Sequence, residues 1–128
     1  MKVIFVGQNP ANSMKAGDSP FKDTKSFDRL KQWIEVLKVT EPAMVNASNK
    51  SGKVTLKDVD KLTLDNVDNY HRFAGYKVVA LGNYASKALK RFKIEHYKLP
   101  HPSGLNRLNN SKEYIDKQLE LCYDWLRS

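Results

Sequence analysis

Two short polar segments, far apart in the chain, carry the side chains best suited to chemistry: Gly7-Gln8-Asn9-Pro10 and His101-Pro102-Ser103-Gly104-Leu105-Asn106. The first follows the apolar run Val3-Ile4-Phe5-Val6, the second follows Tyr97-Lys98-Leu99-Pro100. Each reads as a strand ending in a polar loop. Two further loops of this kind, Asn46 to Gly52 and Gly82-Asn83, follow the runs Ala43-Met44-Val45 and Lys77-Val78-Val79-Ala80-Leu81. In an α/β sheet such loops gather at the carboxyl ends of the strands, where ligands bind. Together they supply amide side chains, one histidine, small residues and lysines. They show no carboxylate pair, no Ser-His-Asp arrangement and no set of residues at metal-ligand spacing. That inventory suits acyl transfer poorly. It suits hydrogen bonding to a polar ring well, because an amide both donates and accepts.

The elements that must position these loops are legible in outline. Residues 2–6 have the short, continuous, β-branched and aromatic pattern of a buried strand, stopped by Gly7. The polar stretch 11–25 predicts a loop, and Ser26 or Thr24 is a candidate cap for the helix after it. Phe27, Leu30, Ile34 and Leu37 then recur at helical spacing, with Trp33 beside them. Residues 55–73 predict a weaker helical region with capping signals at Thr55 and Asp65, closed by Gly75. Gly82-Asn83 ends the third strand and opens a helix reaching about Phe92, with Ala85, Ala88 and Leu89 on its apolar side. Residues 94–99 predict a fourth, less apolar strand. The last helix is expected over 111–127, capped by Ser111 and buried through Ile115, Leu119, Cys122 and Leu126, with Trp125 alongside. Alternating strands and helices imply a parallel sheet with helices on both faces.

The totals bound the rest. A chain of 128 residues without repeats, linkers or low-complexity tracts is expected to be a single domain, 1–128. A net charge of +8 favours a polyanionic partner, nucleic acid first and an acidic membrane surface second. Cys122 is the only cysteine, which excludes an intrachain disulfide and an all-cysteine metal or iron–sulfur site. No apolar run approaches the roughly 20 residues of a membrane span. The start of the chain lacks a signal-peptide core, so an intracellular, cytoplasmic or nucleoid-associated protein is expected. His71 and His96 read as structural, and Trp33 and Trp125 as core.

Taken in order and each at a strand end, these residues resemble the uracil-DNA glycosylase superfamily over nearly the whole chain. Gly7-Gln8-Asn9-Pro10 resembles the family's water-holding loop. Ser19-Pro20-Phe21, followed by Ser26, Arg29-Leu30 and Trp33, is similar to the segment that places a stacking phenylalanine before a helix. Val45-Asn46-Ala47 resembles the strand-end asparagine that reads the base. Leu81-Gly82-Asn83-Tyr84-Ala85 is similar to the family's strand–helix turn, and His101-Pro102-Ser103-Gly104-Leu105 to its His-Pro-Ser-x-Leu motif.

The resemblance implies a three-layer αβα fold around a central four-stranded parallel sheet. It implies a DNA glycosylase that hydrolyses the N-glycosidic bond of uracil or a related pyrimidine flipped out of DNA. His101 and Asn9 are then the catalytic candidates. Gln8, Phe21 and Asn46 are the base-binding candidates. Ser103, Leu105, Arg107, Lys50 and Lys53 are the DNA-binding candidates, with Leu105 as the wedge into the duplex. No metal or other cofactor is implied, DNA is the partner, and a monomer is expected. The chain departs from the pattern at Asn9, where the fastest members carry aspartate. It departs again at Ala11-Asn12, where a thymine-excluding tyrosine is missing. An amide positions water but takes no proton from it. Slow turnover or another base preference is therefore expected. The rival reading is a weakly active or inactive protein of the same fold that binds DNA or a nucleotide.

Overall fold

The computed structural model describes residues 1–9, 25–50, 52–102 and 111–128. Four strands, β1 (Lys2–Gly7), β2 (Glu41–Asn46), β3 (Lys77–Leu81) and β4 (Tyr97–Leu99), form one parallel sheet in the order β2-β1-β3-β4. Helices α1 (Lys25–Leu37), α2 (Lys61–Ala74), α3 (Asn83–Arg91) and α4 (Lys112–Leu126) alternate with them.

Right-handed crossovers decide where the helices lie. The chain steps one way from β1 to β2 and the other way from β2 to β3 and on to β4. The α1 connection therefore falls on one face, and α2 and α3 on the other. α4 returns to the face of α1, so the fold has three layers, αβα.

The inner strands are apolar on both sides because both faces are covered. Along β1, Val3 and Phe5 join Leu30, Trp33, Leu37, Leu119, Cys122 and Leu126 in the α1/α4 layer. Ile4 and Val6 alternate with them, joining Leu64, Val67, Ala85, Ala88 and Leu89 in the α2/α3 layer. β3 divides the same way, Val79 and Leu81 on the first side, Val78 and Ala80 on the second.

Several boundaries differ from expectation for local reasons. α1 begins at Lys25, so Ser26 lies inside the helix rather than capping it. Thr24, the other expected cap, lies outside the described residues, as does most of the loop expected before it. β2 takes in Pro42, which an edge strand tolerates because one side of it needs no ladder bond. The region expected as one weak helix is two elements: a 3₁₀ turn, Leu56–Asp58, capped by Thr55, and α2, capped by Asp60. Asp65 caps nothing; it lies within α2, while the Asp60 carboxylate accepts from the Leu62 N–H. Gly75 closes α2 in the left-handed conformation, φ 74°. β4 is shorter than expected, because Ile94 bonds back to α3 and to the His96 ring instead of joining the ladder. The Ile94 N–H donates to the Leu89 carbonyl at 3.0 Å. The His96 ring pairs with the Ile94 carbonyl and the Ser86 hydroxyl, each at 2.8 Å. His71 is likewise structural, its Nδ1 2.7 Å from the Tyr76 carbonyl. Ser111 caps α4, accepting from the Tyr114 N–H. Among the described residues, no helix is long and apolar enough to cross a membrane.

Candidate active site

The chain turns from one half of the sheet to the other between β1 and β3, and a crevice opens at such a switch point. Four strand ends border it in spatial order: Asn46 on β2, Gly7 with Gln8 and Asn9 on β1, Gly82 after β3, and His101 two residues beyond β4. At about 4.8 Å per strand, β2 and β4 stand about 14 Å apart. A ligand held by both Asn46 and His101 therefore lies over the β1 and β3 ends.

Hydrogen bonds join the first two loops. Asn46 is the register partner of Gly7, and the parallel ladder continues past both strands. The Ala47 N–H donates to the Gly7 carbonyl and the Ser48 N–H to the Gln8 carbonyl, each at 2.9 Å. Asn9 extends the seam with its side chain. Its Nδ2 donates to the Lys50 carbonyl at 2.9 Å and to the Gly52 carbonyl at 2.7 Å. Two carbonyls facing the amide assign its nitrogen end to them, and both amide protons are engaged. Only Oδ1 is left to meet a water molecule, and it meets it as an acceptor.

The loop so held is closed at its far end. The Asp60 N–H donates to the Ala47 carbonyl at 2.7 Å, and the Asn49 side-chain amide donates to the Asp60 carboxylate. Ser48 is fully buried at the start of this loop. Lys50 lies 3.6 Å from Asp58, and Lys53 is exposed. The backbone N–H of Thr55 holds the Asp58 carboxyl below its usual range, with the Lys50 charge a smaller contribution.

Asn46 has an unusual state. Its Oδ1 is buried and has no hydrogen-bond partner among the described residues. A buried acceptor left unpaired costs about 1–3 kcal/mol. An incoming N–H group would recover that cost.

On the other side, Gly82 seats His101. A Cβ on Gly82 would stand 3.1 Å from the His101 Cβ, and Gly82 has φ +95°, a conformation that side chains resist. The Gly82 N–H donates to the Leu99 carbonyl at 2.8 Å and so extends the β3–β4 ladder to the base of the histidine segment. Glycine here lets the His101 backbone approach closely. His101 is half-buried, and burial pushes its imidazole below the usual 6.5. The neutral ring, with one N–H donor, is therefore the form held at neutral pH. A cavity of about 430 Å³ opens beside it, lined by Gly82, Asn83, Lys98, His101, Tyr114 and Gln118. The Lys98 ammonium reaches the Asn83 Oδ1 at 3.0 Å.

Of the residues expected from sequence, Gln8, Asn9, Asn46 and His101 stand along one edge of the sheet, with Lys50 and Lys53 in the loop tied to Asn9. Phe21, Ser103, Leu105 and Arg107 lie outside the described residues. Sequence reasoning missed Gly82 as the seat of His101, Asp60 as the loop closure, and Tyr114 and Gln118 as walls beside the histidine. Gly82 had a signal, since a glycine directly after a buried strand and before a helix invites a close approach. Tyr114 and Gln118 had none, being separated from His101 by a whole connection. Among the described residues, no group of three or more His, Cys, Asp or Glu is placed to hold a metal.

The sequence model of the uracil DNA glycosylase superfamily matches residues 1–122. No individual curated protein matches the chain.

Proposed function

The chain belongs to the uracil DNA glycosylase superfamily, and from that premise we propose that it hydrolyses the N-glycosidic bond of uracil, or of a related pyrimidine, turned out of DNA. The observation that carries this reading is the buried, unpartnered Oδ1 of Asn46 on the same sheet edge as His101. Its amide fits the uracil edge, Oδ1 accepting from N3–H and Nδ2 donating to O4. Cytosine, with an acceptor at N3 and an amino donor at position 4, presents the reverse pattern and leaves Oδ1 unpaired.

In the reaction, a water oxygen bonds to the sugar C1′ as the C1′–N1 bond breaks. The bonding pair leaves with the base as an anion, largely on O2, and the proton of the water passes to solvent. His101 donates a hydrogen bond to O2, where the charge develops. Asn9 Oδ1 accepts from the water and orients it. Phe21 is proposed to stack on the base, worth about 1–3 kcal/mol. Leu105 is proposed as the wedge that fills the place the base leaves. Ser103, Arg107, Lys50 and Lys53 are proposed to meet phosphates.

The amide at position 9 favours a second reading, a protein of this fold that binds DNA with little turnover, since its Oδ1 accepts a hydrogen bond from water but takes no proton from it. One experiment separates the two. Oligonucleotides carrying one uracil, single-stranded or opposite G or A, are incubated with the protein and with His101→Ala, then cleaved with alkali. Strand cleavage that His101→Ala lowers by about 10²–10³-fold supports the glycosylase. Binding without cleavage, the same for both proteins, supports the second reading.

A further inference from the structure

Helix α3 shows solvent a face with no acidic residue. Lys87, Lys90 and Arg91 are all exposed. With Asn83 they lie at i, i+4, i+7 and i+8, opposite the buried Ala85, Ala88 and Leu89. Two side chains, one from each end of this helix, fasten the start of the 3₁₀ turn. The Tyr84 hydroxyl donates to the Thr55 carbonyl at 2.7 Å, and Arg91 Nη1 donates to the Leu56 carbonyl at 3.1 Å. That places the exposed Lys57 beside the helix. The acid next to it, Asp58, is already engaged by Lys50 and by the Thr55 N–H.

The other helices differ. α2 balances Lys61 and Arg72 with Asp65 and Asp68. α4 sets Glu113, Asp116, Glu120 and Asp124 against Lys112 and Lys117. Since α1 also carries Asp28 and Glu35, α3 is the one helix of the four without an acidic residue, and its exposed face with Lys57 is uniformly cationic.

We infer that the strip Lys57-Lys87-Lys90 binds the phosphodiester backbone of a single nucleic-acid strand leading away from the strand-end pocket. This rests on the proposed function only for the choice of DNA. α3 starts beside the cavity at His101 and runs back down the side of the sheet, antiparallel to β3, as a crossover helix must. Its nine residues span about 14 Å, the rise of about four stacked nucleotides. A duplex lying across the strand ends is too stiff to turn down this side, whereas a single strand follows it. The strip therefore serves one flank of the target nucleotide only. Arg91 is the brace that holds the turn in place.

The test is fluorescence anisotropy with a single-stranded octanucleotide carrying a central uracil, and the same probe lengthened by four nucleotides on its 5′ or its 3′ flank. Each is titrated with salt, for the wild-type chain and for Lys57→Gln/Lys87→Gln/Lys90→Gln. Extension on one flank is expected to raise wild-type affinity several-fold, and extension on the other to leave it unchanged. The triple variant is expected to lose that gain and to lower the log–log salt slope by about 2, three phosphates at roughly 0.7 each. Arginine at all three positions should restore both. An equal gain on both flanks, or a variant with the wild-type gain and slope, overturns the inference. Uracil-free probes and the alkali assay on the wild-type chain keep the two proposals apart. A one-sided gain without base release leaves the strip standing and removes the glycosylase. Base release with no strip effect does the converse.

Discussion

At the scale of single residues, the two asparagines of the site have opposite conditions. Asn46 holds a buried acceptor in need of a donor, and Asn9 has its donors spent. Asn9→Asp is therefore not a simple gain of a catalytic base. It removes two hydrogen bonds worth about 0.5–1.5 kcal/mol each and sets a carboxylate against two carbonyls. The expected outcome is a chain with a lower melting temperature and no faster base release, read by thermal unfolding and the alkali assay. A faster Asn9→Asp enzyme of unchanged stability would sink the clamp. His101 carries a prediction in pH. Burial lowers its folded-state pKa below 6.5, so the neutral ring stabilises the fold fully above 6.5. That contribution fades as pH falls through the lowered value. Base release should follow the same curve, level as pH rises above 6.5 and declining on the acid side. A decline on the alkaline side would mean that the imidazolium, not the imidazole, does the work.

At the scale of elements, the loop after β2 is braced at three places: the Asn9 amide, the Asp60 cap and the α3 contacts of Tyr84 and Arg91. Asp60 does three tasks at once. Its carboxylate caps α2 and receives the amide of Asn49, and its N–H bonds to Ala47. Asp60→Ala should cost about 1 kcal/mol for the cap. It should also speed amide hydrogen exchange across residues 47–60 more than in β1 or β3. A uniform change across the chain would show that the loop is not an independent unit. Gly82→Ala tests the opposite flank. The new methyl group must displace the His101 backbone or itself. Base release should fall well below wild type while the α1/α4 layer stays intact.

At the scale of the whole molecule, the core is two apolar layers on one sheet, joined through β1 and β3. Cys122 sits in the α1/α4 layer, fully buried, with its thiol pushed up to about 12 by burial. Thiolate is the reactive form, so native Cys122 is protected twice, by access and by ionisation. Labelling by a thiol reagent should track global unfolding in denaturant. Fast labelling under native conditions would place the opening of that layer at low energy.

Local sequence determined most of the scaffold. Val3 to Val6 and Lys77 to Leu81 could be read as inner strands because burial on both faces demands unbroken apolar runs. The helices declared themselves through the spacing of Leu30, Leu37, Leu89, Leu119 and Leu126, since one face of each must meet the sheet. Asn9, Asn46 and His101 were legible as strand-end residues, and so as candidates for a site, because each stands where a strand stops. Long-range contacts decided the rest. No pattern along the chain pairs Asn9 with the carbonyls of Lys50 and Gly52, or leaves Asn46 with an empty acceptor. Nor does any local pattern press Gly82 against His101 or fasten the 3₁₀ turn along α3. Periodicity reports which face of an element is apolar, a property of neighbours in sequence. Hydrogen bonds across more than forty residues exist only once the sheet has brought the strand ends together.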